Sequence, residues 1–209
     1  KLEDDTITAN NAAFKEVVNR QPGFPRWFAD FENHSTSPAP NPRTYAEDDL
    51  RGWKRSSLPI APGSIGWHVQ CGPAPNNPAA LFNPPGPPTG PSGDHTYSVT
   101  EKNGDGCYLL LESALRPVPF TLQDEWIELP CGGIDFTKSE NCQVLFSFYY
   151  HMFGQNTGDL FIDVNDGDRW LNGVDVIRGA QHFEATERWL RHQITLDSFI
   201  VNNAVRIRF

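Results

Sequence analysis

Leu160-Phe161-Ile162-Asp163-Val164 runs into Asn165-Asp166-Gly167-Asp168, and Arg169-Trp170-Leu171 follows. Two strand-like runs flank a short polar segment containing Asp-Gly. This predicts a β-hairpin, because Asp-Gly readily supplies the backbone angles of a tight turn. The segment also resembles a calcium loop superficially. An EF-hand needs glycine at its sixth position and glutamate at its twelfth, whereas Gly167 is fifth and the flanks are strands.

The same pattern continues outward in both directions. Val144-Leu145-Phe146-Ser147-Phe148-Tyr149-Tyr150 and Cys107-Tyr108-Leu109-Leu110-Leu111-Glu112 read as strands, as do Arg191 to Leu196 and Ala204 to Phe209. Trp27-Phe28-Ala29-Asp30-Phe31-Glu32 alternates in the strand manner, and Ile65-Gly66-Trp67-His68-Val69 does so more loosely. Short strands separated by turn signals predict an all-β sandwich or jelly roll. No repeat of fixed period is present.

Composition agrees. The 209 residues suffice for one large domain with a real core, and 12% are aromatic, including six Trp and fourteen Phe. The net charge of −9 opposes binding to phosphate backbones and to anionic membrane surfaces, and no run reaches the length of an apolar membrane span. Residues 1–21 read as a polar N-terminal tail or a short helix between Asp5 and Arg20. Residues 22–91 hold fifteen of the eighteen prolines, so the insert at about 56–91 is expected to be a long loop.

Cys71, Cys107, Cys131 and Cys142 are even in number and lack C-x-x-C spacing, which favours two disulfides in an oxidising compartment over a zinc site. Three connectivities are possible. Cys71–Cys107 and Cys131–Cys142 are favoured because each closes a loop locally. Asn33-His34-Ser35 is a glycosylation sequon and points to the same secreted or cell-surface setting.

A family resemblance emerges from these segments taken in order. Thr89-Gly90-Pro91-Ser92-Gly93-Asp94-His95-Thr96 resembles the "GP…DHT" stretch of MAM domains, the modules of meprins, neuropilins and receptor tyrosine phosphatases. Cys142 through Phe148-Tyr149-Tyr150-His151-Met152 to Gly154 is similar to the family's "F-W-Y-H-M" stretch, and Gly158-Asp159-Leu160 follows at the expected place. Trp170, Gly179-Ala180-Gln181 and Trp189 resemble "W…G-x-Q…W", Asp30-Phe31-Glu32 the opening "D-F-E", and Gly52-Trp53 the Trp that follows. The resemblance spans about residues 29–209. It implies a jelly roll of two antiparallel sheets, used in adhesion or receptor recognition.

The chain departs from the pattern in three places. Position 29 is Ala where the family usually has Cys, the Pro-rich insert is long, and the family's closing "G-D-I-A-I-D-D-I" strand is not reached before Phe209. That strand is expected from residues beyond those given, from residues 1–10, or from another chain by strand addition.

The resemblance also implies an ordered cation near the first strands. Calcium suits the oxygen ligands available. Asp30 and Glu32 would share one strand face, Asp49 precedes Trp53, and Asp94 sits in a Gly-rich turn; these four are the candidate ligands.

Enzymatic readings are poor. H-E-x-x-H and G-x-S-x-G are absent, and Glu125 and Glu128 would face opposite ways on a strand, unlike a glycosidase pair. Asp94-His95 has no accompanying nucleophile. The sequence therefore predicts a non-catalytic extracellular module, binding a protein partner or itself, with glycans as the second partner class. An accessory domain of a secreted hydrolase is a weaker reading.

Overall fold

The computed structural model describes residues 17–19, 31, 53–56, 67–74, 90–95, 106–111, 125–129, 134–135, 144–154, 157–200 and 204–209. Its elements are strands β1 (Val17–Asn19), β2 (Lys54–Arg55), β3 (His68–Cys71), β4 (Cys107–Leu110), β5 (Ile127–Glu128), β6 (Ile134–Asp135), β7 (Val144–Tyr150), β8 (Leu160–Asn165), β9 (Trp170–Ile177), β10 (Leu190–Thr195) and β11 (Ala204–Arg208), with a 3-10 turn at Asp197–Phe199. No α-helix occurs among the described residues, and none of their helices is long and apolar enough to cross a membrane. The described residues form an all-β structure, and its strand pairs are antiparallel. Val17–Asn19, at the end of the segment expected as tail or helix, pairs with β7.

One sheet has the order β1-β7-β10, and a six-stranded sheet has the order β2-β5-β11-β8-β9 with β6 also pairing to β11. A third ladder joins β3 to β4. Period-two alternation decides which residues turn inward. Val144, Phe146 and Phe148 of β7 meet Ile162 and Val164 of β8, Ile127 of β5, and Val205 and Ile207 of β11 in one core. Phe209 closes the contact between the two sheets, its ring 4.8 Å from Phe148 and 6.0 Å from Phe146. At one margin, His192 of β10 and Asp175 of β9 join the sheets at 2.7 Å.

The opening hairpin forms as expected. Asn165 pairs with Trp170, and the Asp166 Oδ1 accepts the amides of Asp168 and Arg169. Those backbone hydrogen bonds, Arg169 first, hold the Asp166 carboxyl below its ordinary pKa. Its carboxylate therefore shapes a turn. Gly167 sits at φ 101°, where a side chain would be strained.

β11 is an interior strand. It lies between β5 and β8, and Phe209 exchanges both backbone hydrogen bonds with Ile127. Phe31 departs from the expected alternation. It is buried against Trp53, but lies outside any strand with φ 55°, so the extended run predicted across Asp30 and Glu32 does not pass through it.

Candidate functional site

Segments that lie far apart in sequence meet at the end of β7. The bend at 90–95 packs against β7 through the His95 ring, 4.5 Å from Tyr149. The same bend is tied to the β9–β10 connection twice: Ser92 N donates to the Ala185 carbonyl, and Trp189 Nε1 donates to the Gly93 carbonyl. Gly90 is needed for this approach, because a Cβ there would lie 2.9 Å from the Ala74 Cβ. Ala74, Tyr108 and Leu110 form a small second core beneath, with Trp189 packed on it edge-on to Tyr108.

Two histidines set the geometry above that core. His182 is buried and fully engaged by backbone: its Nδ1 accepts the Met152 amide, and its Nε2 donates to the Arg188 carbonyl. The hydrogen bonds fix its tautomer. His151, one residue past β7, stacks on it at 3.9 Å and 17°. Neither ring nitrogen of His151 has a hydrogen-bond partner among the described residues. Burial, and secondarily the neighbouring His182, pushes its pKa down to about 3, so the ring is neutral near pH 7.

The connection between β9 and β10 is thus tied down by hydrogen bonds. Gln181 and His182 both donate amides to the Met152 carbonyl, Gly179 N donates to Asp159 Oδ1, and Arg178 pairs with Asp159 at 2.7 Å. Phe183 follows His182 directly and projects into solvent, 92% exposed, with its amide held by Glu187. An ordered backbone presenting an open aromatic side chain resembles the anchor residues that carry binding energy at protein interfaces.

The candidate sites divide sharply. Cys71 and Cys107 are disulfide-bonded across the β3–β4 ladder, as expected. Asp94 is fully buried in the bend. Asp30, Glu32, Asp49, Asn33, Cys131 and Cys142 lie outside the described residues. Among the described residues, no three His, Cys, Asp or Glu side chains gather as a metal-binding group. Sequence reading passed over His182 and Phe183. Only the position of Phe183 beside the Gly179-Ala180-Gln181 motif marks it.

Neither protein-family models, nor curated proteins, nor solved structures match this chain.

Proposed function

We propose that the chain is a non-catalytic extracellular recognition module, a MAM-like jelly roll that engages a protein partner through the corner built on β7. The observation that carries this reading is the convergence at that corner. The segments resembling "GP…DHT", "Y-H-M" and "G-x-Q…W" are dispersed over residues 90–189. They meet around His151, His182 and Trp189, and hold Phe183 out to solvent. The Cys71–Cys107 disulfide supports an oxidising setting. The neutral ring of His151, stacked on a His182 whose two nitrogens are both engaged by backbone, supports a structural role over proton transfer, since a base for catalysis works best with a pKa near the operating pH.

Calcium belongs to the same proposal. Asp94, together with Asp30, Glu32 and Asp49, would hold it. The complete burial of the Asp94 carboxylate fits a group whose charge is compensated within the protein. The ion would supply structural cross-linking of the first segments.

Beads coated with the chain test the assignment, either against one another or against cell-surface proteins. Phe183→Asp should abolish capture at unchanged melting temperature. Capture that survives this substitution removes the corner from the interface.

A further inference from the structure

The outward face of the six-stranded sheet carries a second array. The alternation that sends Ile127, Val164 and Ile207 into the core sends Glu128, Asn165, Arg206 and Arg208 the other way, with Trp170 opposite Asn165; Glu128 and Asn165 are buried beneath the partly exposed Arg206, Arg208 and Trp170. The Arg208 guanidinium lies 4.3 Å from the Trp170 ring centre and 5.8 Å from that of Trp126. Arg206 lies over Trp170 at 5.2 Å. Arg208 also donates to Asp163 at 2.8 Å and to Asn172 at 3.2 Å, while Arg206 pairs with Glu128 at 3.2 Å.

Three properties define what this face recognises. Both indoles remain partly exposed, although burial is the usual fate of Trp. Their orientations are set by guanidinium groups that are themselves held by carboxylates, so the array is ordered in advance. The two guanidinium charges are matched by Asp163 and Glu128, which removes the excess positive charge an anionic ligand would need. What remains is a plane of fixed donors and acceptors beside two apolar rings. Polyhydroxylated, uncharged rings fit that description: their C–H groups pack on the indole surface that the guanidinium groups leave exposed, and their hydroxyls act as donor and acceptor together.

We propose that this face, centred on Trp126, Trp170, Arg208 and Asn172, binds a neutral oligosaccharide. The two indoles flank one guanidinium, close enough for a single short glycan to touch both. The site is separate from the corner at Phe183 and stands whether or not that corner binds protein.

Electrophoresis of the whole chain through native gels cast with soluble β-glucan, mannan, galactan or xylan tests the proposal. At least one polysaccharide should retard the chain, and Trp170→Ala should weaken that binding at least tenfold. Asn172→Ala, at an exposed position, should weaken it without loss of fold, and serves if Trp170→Ala unfolds. Phe183→Asp should bind sugar normally. Retardation by none of the four overturns the proposal, as does undiminished retardation of both Trp170→Ala and Asn172→Ala. Binding confined to heparin and lost in added salt overturns it too, since that signals a simple charge effect.

Discussion

His151 makes the fold sensitive to acid through a single ring. Its folded pKa of about 3 lies below the ordinary 6.5. As pH falls through 6.5 the unfolded chain takes up a proton that the folded chain refuses. The stability gained from this difference is complete above 6.5 and is lost progressively down to about 3. Between pH 6.5 and 5 the loss should be about 1.5 kcal/mol, as the unfolded ring passes from half to nearly full protonation. Urea midpoints of the wild type and His151→Phe across that window check it, and the variant should show a flatter dependence. Gly90 is the other residue with a sharp expectation. Gly90→Ala should cost about 1–3 kcal/mol, because the new methyl meets Ala74 at 2.9 Å. Adding Ala74→Gly should recover part of that loss in the same denaturation assay.

Among the elements, the β3–β4 ladder depends most on a covalent link. Cys71 and Cys107 are direct register partners and lie 36 residues apart in sequence. Replacing both with Ala should cost about 3–4 kcal/mol by the chain-entropy relation, read as a lower denaturant midpoint. Strands β7, β8, β10 and β11 were legible as short runs rich in apolar, aromatic and β-branched residues bounded by turn signals, with clean alternation in β11. Their hydrophobic faces and turn chemistry point the same way. β9 extends well past the predicted Leu171, to Ile177. Its register shifts between Ile162 and Val164, and Gly173 takes φ 60°. A bulge breaks the simple alternation that would have marked its far end. Phe31 shows the opposite failure: the alternation is present in sequence, but Phe31 itself is left-handed and lies outside any strand.

At the scale of the whole molecule, the corner around His151 could be seen only as separate motifs. Its histidine stack and its links between residues 92 and 185 are products of topology, and no local spacing encodes them. The two outward Trp residues were hidden for the same reason, since six candidates looked alike until β5, β9 and β11 were placed side by side. Calcium is likewise a property of distant segments brought together. If Asp94 and its proposed companions hold the ion, calcium at a hundredfold its dissociation constant should stabilise the fold by about 2.7 kcal/mol. A melting curve should rise with calcium and fall with chelator. Coincident curves would remove calcium from the account.

The position of β11 has a consequence for how the chain is made. A ribosome delivers β5 and β8 well before the strand that must sit between them. Until β11 emerges, Ile127, Ile162 and Val164 lack the layer formed by Val205 and Ile207. Sheet closure must therefore wait for the synthesis of β11, with pairings of high sequence separation forming slowly. A nascent chain held before residue 204 should remain open to protease, while one carrying β11 free of the tunnel should become resistant. Biogenesis of this molecule is thus governed by the arrival of one short segment, and the preceding apolar strands need protection until it comes.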